Sequence, residues 1–331
     1  MKLVSYLKSG ETKLGAIVNQ KLIALNSINE NLPDNIIEFL KLGQNSIDAI
    51  EQQLAKIEDD TLSILTVDNY TLIAPVPHPT SCRDGYAFRQ HVASARKNRG
   101  VEMIKEFDEY PIFYFTNHNA IQGPGEIYCM PDHFQQLDFE LEIAIVIGKE
   151  GRNIKAKDAD AYIAGFTIMN DLSARKLQME EMLLNLGPAK GKDFSTVIGP
   201  WLVTPNELAA FKVPAKHGHI GNNYDLSMKC WVNDKLVSQG NVKDMDWTFA
   251  EIIERCSYGV TIYPGDVIGS GTVGTGCFLE LNGTGKLNDP NYAAQWLQAN
   301  DVVKMAIDGL GILENTIKAE ATDWSILAQK K

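Results

Sequence analysis

Between Gln136 and Gly148 the chain alternates with a period of two: Leu137, Phe139, Leu141, Ile143, Ile145 and Ile147 fall on one side, and Asp138, Glu140, Glu142, Ala144 and Val146 on the other. Only an extended strand gives that pattern a purpose. Because Ala144 and Val146 continue the acidic side, the later part of that face is predicted to be buried as well. Its earlier part carries three carboxylates, with neighbours roughly 7 Å apart, and like charges so placed repel unless a cation or water screens them. Oxygen donors of this kind suit Mg²⁺, Ca²⁺ or Mn²⁺ better than zinc. A solvated strand face near a sheet edge accounts for the same letters, and this segment alone does not choose between the two.

Around that strand the chain reads as α+β with strands dominant. Residues 1 to about 27 alternate in short runs (LVSYL, LGAIV, KLIAL) broken by turn residues, which predicts small antiparallel strands. NIIEFLKLG and SIDAIEQQLAKI then carry apolar residues three and four apart, as helices do. Pro75, Pro77 and Pro79 stop that pattern. A small N-terminal β module with a helical segment is therefore expected over 1–75, with a larger domain over 76–331. In the larger part, helices are predicted for GYAFRQHVASARKNRG, SARKLQMEEMLL and TFAEIIERC. Strands are predicted for PIFYF, LDFELEIAIVIG, AYIAGFTIMN, GDVIGSG, CFLELNG and DVVKMAI, and a hairpin for LSMKCWVNDKLVSQG. Without regular βα alternation, a mixed, mainly antiparallel sandwich or rolled barrel fits better than a doubly wound sheet.

Two aspartates stand at the head of predicted helices. Asp171 sits at a strand end or helix N-cap, with Arg175 and Gln178 stacked behind it at i+4 and i+7. Asp84 would cap a helix carrying Tyr86 in its first turn and His91 two turns along. Taken singly, each is as well explained by a capping aspartate with a solvated polar face. A lone histidine is likewise more often structural than catalytic, although beside a bound water its ordinary pKa of ~6.5 suits a general base. Lys192 lies in GPAKGKDF, and Thr272 in the glycine-rich GSGTVGTG, which exposes backbone N–H groups near Gly271, Gly274 and Gly276. Neither run matches a nucleotide-binding loop, and no G-x-S-x-G elbow is present.

The net charge of −11 argues against nucleic acid as a partner. Five widely spaced cysteines, without a C-x-x-C pair, fit reduced thiols. No apolar run approaches the ~20 residues of a spanning helix, and the first residues lack a signal-peptide core. A cytoplasmic location without membrane association is expected.

In the order Asp84-Gly-Tyr86-x-x-Arg89-Gln90-His91, Asp138-Phe-Glu140-Leu-Glu142, Asn170-Asp171-Leu-Ser173-Ala-Arg175, Gly-Lys192-Asp-Phe, Ser-Gly-Thr272 and Cys-Phe-Leu-Glu280, the chain resembles the fumarylacetoacetate hydrolase family. That resemblance implies a mixed β-sandwich roll, a homodimer, and a divalent cation (Mg²⁺, with Ca²⁺ or Mn²⁺ as alternatives) held by Asp84, Glu140, Glu142 and Asp171. It makes His91 the proton acceptor, Glu280 the acid that orients it, and Arg175, Gln178 and Lys192 the oxyanion hole. Tyr86, Gln178 and Thr272 become substrate contacts, as does an arginine, either Arg96 or Arg99. Met182 stands where the fumarylacetoacetate enzymes carry a substrate tyrosine.

The activity so implied is hydrolysis of a carbon–carbon bond in a β-diketo acid, of the kind met in aromatic amino-acid catabolism. His91 would draw a proton from water, and each oxyanion donor would contribute about 3 kcal/mol. Relatives of the fold also decarboxylate, cleave acylpyruvates or isomerise hydroxy-dienoic acids through an enolate, without requiring a His–Glu pair. A cation-stabilised binding protein without activity is the third reading, and it requires a coordinatively closed site.

Overall fold

The computed structural model describes residues 1–329. The first strands form as expected, Lys2–Lys8, Glu11–Val18 and Lys21–Ala24 pairing in antiparallel order. They do not stand apart from the rest of the chain. Lys2 and Leu3 pair with Val203 and Leu202, so one sheet continues from these strands through Thr196–Val203, Ile163–Asp171, Leu141–Ile147, Val267–Gly269 and Cys82–Gly85 to Phe113–Thr116. Most of its pairings are antiparallel, while Val267–Gly269 runs parallel to Cys82–Gly85.

A second sheet, ordered Lys235–Asn241, Ser227–Val232, Val302–Ile307, Gly311–Ala319 and Gly125–Cys129, packs on one face of the first. Its hairpin closes through Asn233 and Asp234, both at positive φ, the geometry a two-residue turn of matching twist demands. The opposite face of the first sheet is covered by the helices Ile36–Lys41 and Gln44–Leu54. Asn35 caps the first of these, its side chain accepting from Ile37 N and Glu38 N.

The alternation read from the sequence now has its cause. Leu141, Ile143, Ile145 and Ile147 enter the core between the sheets, and Ala144 and Val146 enter the core beneath the helices. All six are fully buried, which stabilises the fold by roughly 1.5–3 kcal/mol for each of the larger side chains. No helix among the described residues is long and apolar enough to cross a membrane.

Three local expectations fail, each through a long-range contact. The strand expected to run unbroken from Leu137 is interrupted: Leu137–Asp138 pairs with Ser173–Ala174, and only Leu141–Ile147 joins the main sheet. At the break Glu140 N donates to the side chain of Asn170. CFLELNG forms a helix, Phe278–Asn288, instead of a strand, because the Asp138 carboxylate accepts from Phe278 N and Leu279 N and so satisfies its first orphan donors. Asp84 caps no helix. It lies in the strand Cys82–Gly85, and the helix after it is confined to Arg89–Asn98, where Asp246 Oδ2 accepts from Arg89 N at 2.8 Å.

Candidate metal centre and proton-transfer site

Three of the four expected ligands converge. Asp84, Glu140 and Glu142 each offer a carboxylate oxygen, and these atoms lie within 4.8 Å of one another. The strands Cys82–Gly85 and Leu141–Ile147, with the break just before the latter, bring them together. Asp84 pairs with Gly269 in the strand beside it, where a Cβ would fall 2.5 Å from Asp84 Oδ1, so only glycine permits that approach. Gly271 N donates to the same oxygen at 3.0 Å, from a turn with φ of +79° that also favours glycine.

Asp171, the fourth expected ligand, ends the strand Ile163–Asp171, and Lys192 stands between it and the other acids. Lys192 Nζ lies 2.7 Å from Asp171 Oδ2 and 2.5 Å from Glu140 Oε2. Arg175 is also committed to carboxylates. Its Nε lies 2.9 Å from Asp138 Oδ2, its Nη2 2.6 Å from Glu140 Oε1, and its Nη1 donates to Gln178 Oε1 at 3.0 Å. The Gln178 carbonyl is thereby used, which leaves its amide N–H₂ as the donor end.

The electrostatics divide these acids. Burial opposes the charge on Glu140, but Lys192 and Arg175 outweigh it and bring its carboxyl down to about 2. Burial and the Asp171 carboxylate push Asp84 up to about 7. Burial with Asp84 and Glu140 pushes Glu142 well above the ordinary carboxylate range, and its Oε2 is buried without a hydrogen-bond partner. Two cationic side chains thus face five buried acids, counting Asp138. The surplus is concentrated where the oxygens converge, a donor set that fits a hard divalent cation.

The histidine stands close enough to these acids for its charge to act on Glu140. His91 Nδ1 lies 2.6 Å from Glu280 Oε2, and Thr275 N donates to that same oxygen at 3.0 Å. Glu280 is available to His91 because it occupies the first turn of the helix that Asp138 caps. Tyr86 meets His91 edge-on with ring centroids 5.9 Å apart, and burial raises its hydroxyl pKa. Thr272 Oγ1 donates to Glu142 Oε1 at 3.4 Å. The arginine candidates both use Nε on backbone carbonyls, Arg96 on Glu102 and Arg99 on Ala95. Met182 is half exposed at the end of its helix.

Two residues of the site carried no readable signal for their part in it. Tyr114, opposite Asp84 in the strand pairing, donates its hydroxyl to Asp171 Oδ2, and burial with Asp171 holds its pKa well above the usual value. Only the pairing of the two strands, which is not local, could have pointed to it. Asp138 was visible as an acid on the right face. Its task, joining Arg175 to the helix that holds Glu280, was not.

Comparison with known proteins fixes the family. The model of the fumarylacetoacetate (FAA) hydrolase C-terminal domain matches residues 80–318. The chain belongs to the fumarylacetoacetate hydrolase family. A fumarylacetoacetate hydrolase domain-containing protein 2 homolog from Dictyostelium discoideum is 30% identical over 323 residues, 96% of this chain and 97% of the relative. The mitochondrial oxaloacetate tautomerase FAHD2A of Homo sapiens is 32% identical over 304 residues, 89% of this chain and 83% of the relative. Among solved structures, the fumarylacetoacetate hydrolase of psychrophilic Exiguobacterium antarcticum aligns with a TM-score of 0.71 at 25% identity, over 97% of this chain and 100% of that one. The mixed sheets described above are thus the fold of the fumarylacetoacetate hydrolase family.

Proposed function

We propose that this member of the family moves a proton on a small 2-oxo carboxylate, interconverting the keto and enol forms of a diacid of the oxaloacetate class. The observation that carries the reading is the His91–Glu280 pair at 2.6 Å beside the convergent acids. With Nδ1–H donated to Glu280, the imidazole keeps its Nε2 lone pair free to accept a proton. The similarity to an oxaloacetate tautomerase over most of the chain supports this substrate class.

Asp84, Glu140 and Glu142 would hold a divalent cation, with Asp171 behind Lys192 at its margin. When bound, that ion supplies Lewis-acid polarisation of the 2-oxo group. His91 Nε2 takes the proton from C3 of the keto form and, with the substrate still seated, returns it to the enolate oxygen. The reverse sequence returns the keto form. Glu280 fixes the tautomer and orientation of the ring and stabilises the imidazolium formed in passing. The ammonium of Lys192 and the amide of Gln178 offset the charge that develops on the substrate oxygen.

The test is to follow decay of the enol form of oxaloacetate by ultraviolet absorbance, with and without chelator. Acceleration that needs a divalent cation is the expected result, and an uncatalysed rate under all conditions sinks the reading.

Hydrolysis of a carbon–carbon bond in an acylpyruvate or fumarylacetoacetate-like acid is the second reading, and the same dyad favours it, because a carboxylate-oriented histidine can also draw a proton from water. Release of pyruvate or fumarate from such substrates, measured beside the enol assay, separates the two.

A further inference from the structure

Lys192 Nζ bridges Glu140 and Asp171, yet Lys192 belongs to the loop between the helix Arg175–Met182 and the strand Thr196–Val203. A loop needs anchors to hold an ammonium so closely. One anchor is a side chain that no step above uses. Glu181, partly buried on the helix that also carries Arg175 and Gln178, turns its carboxylate onto three successive backbone N–H groups. Its Oε2 accepts from Ala189 N at 3.0 Å and from Gly191 N at 3.1 Å, and its Oε1 accepts from Lys190 N at 2.8 Å.

These donors open a single helical turn. Lys192 N and Asp193 N both donate to Ala189 O at 2.9 Å, so the N–H groups of residues 189–191 are the ones such a turn leaves without an internal partner. A carboxylate suits them because their dipoles point at it. The turn also packs directly on the helix: a Cβ on Gly191 would lie 2.6 Å from Gln178 Cα and Cβ, and Gly191 O accepts from Ala174 N at 2.8 Å. Beyond Lys192 the chain is anchored by Phe194, whose ring stacks on His133 with centroids 4.0 Å apart, and by Asn117, which donates to Asp193 O at 2.9 Å. Before the turn, Leu183, Leu184 and Leu186 are exposed and anchor nothing.

We propose that Glu181 is a positioning residue for the proton transfer described above, the reading on which this role rests, and that it acts through Lys192. By clamping the turn 189–191 it sets the ammonium between Glu140 and Asp171, and it makes Lys192 move as one body with Arg175 and Gln178 on the helix. Without the clamp the flexible side chain must reach both acids from a backbone free to shift, and a displacement of about 1 Å is enough to cost on the order of 10²-fold in rate.

The experiment is a double-mutant cycle of Glu181→Ala and Lys192→Met in the full chain, read as decay of the enol of oxaloacetate in Mg²⁺ and as the urea midpoint in chelator. Glu181→Ala is expected to lower kcat roughly 10- to 100-fold with KM little changed. In the Lys192→Met background it should lower kcat no further, because nothing is left to position. Glu181→Gln, with its carbonyl in the place of Oε2, keeps the bonds from Ala189 and Gly191 and should recover part of the loss. In chelator Lys192→Met should lower the urea midpoint less in Glu181→Ala than in wild type, a readout that needs no substrate. A Glu181→Ala enzyme as fast as wild type overturns the proposal, as do multiplying kcat losses in the double variant, a Gln variant as slow as the Ala variant, or independent midpoint shifts. A wild-type chain inactive on the enol overturns the functional reading instead, and the midpoints then decide whether Glu181 holds Lys192.

Discussion

His91 and Glu280 lie far apart in sequence, yet Nδ1 of the one is 2.6 Å from Oε2 of the other. Neither can shift freely: Thr275 N holds the same carboxylate oxygen, and the Asn98 amide donates to the backbone carbonyl of Glu280 at 3.0 Å. The dyad therefore couples the helix Arg89–Asn98 to the helix Phe278–Asn288. Deleting the base and misorienting it should differ in size. His91→Ala is expected to lower kcat on the enol of oxaloacetate by about 10²–10⁴-fold, the usual worth of a general base, with cation binding retained by calorimetry. Glu280→Gln should lose less and keep KM. Wild-type turnover in His91→Ala would remove it as the base.

Metal removal should have a pH signature. Asp84 is raised from 3.8 to about 7 in the folded protein, so the metal-free fold prefers its protonated form. That contribution is fully present below the unfolded value of 3.8 and is lost as pH rises through about 7. Glu140 works in the opposite sense, being held at about 2, so its contribution stands above 4.5 and fails only as pH falls toward 2. Between these limits Asp84, assisted by Glu142, sets the trend. The chelated protein should melt at progressively lower temperature from pH 5 to pH 8. Added Mg²⁺ or Mn²⁺ should raise the melting temperature more at pH 8 than at pH 5. Equal metal-induced shifts at both pH values would contradict the assignment of these acids as ligands.

Lys192 balances two buried carboxylates, Glu140 and Asp171. Lys192→Met leaves both without their ammonium, and breaking a buried pair on one side costs about 3–5 kcal/mol. The variant should therefore be destabilised in chelator, regain part of the loss when a divalent cation is supplied, and remain at least ~100-fold slower. Tyr114→Phe removes only the hydroxyl that meets Asp171, so a loss of about 1 kcal/mol is expected by denaturant titration. A Lys192→Met protein as stable as wild type in chelator would argue that the charge is balanced elsewhere.

How much of this could be read beforehand follows the range of the interactions. The two faces of Leu141–Ile147 were legible because strand periodicity is local. So was the helix Phe249–Ser257, whose capping box, Thr248 with Glu251, lies within its own first turn. Resemblance to the family named Asp84, Glu140, Glu142, Asp171, His91 and Glu280 by motif, without any account of how they meet. What stayed hidden depends on distant partners. The letters CFLEL look strand-like until Asp138 arrives to cap them as a helix. Asp84 reads as a cap until Val267–Gly269 pairs beside it. The position of Lys192 between two acids appears only when the loop carrying it folds against the strand ends.

Asp138 offers a test of that long-range logic, because it is buried and lies outside the three convergent acids. Its carboxylate accepts from Arg175 Nε and from the first two N–H groups of the helix bearing Glu280. Asp138→Ala removes the cap and leaves Glu140 as the one carboxylate on Arg175 among the described residues, so a loss of about 3–5 kcal/mol is expected from the broken buried pair. Asp138→Asn keeps the shape and one acceptor oxygen but loses the charge, and should fall between this variant and wild type. Because the helix start positions Glu280, and Glu280 positions His91, kcat of the folded Asn variant should drop while its cation affinity stays near wild type. If Asp138→Asn instead lost cation affinity and kept kcat, Asp138 would belong to the metal centre and the capping account would fail.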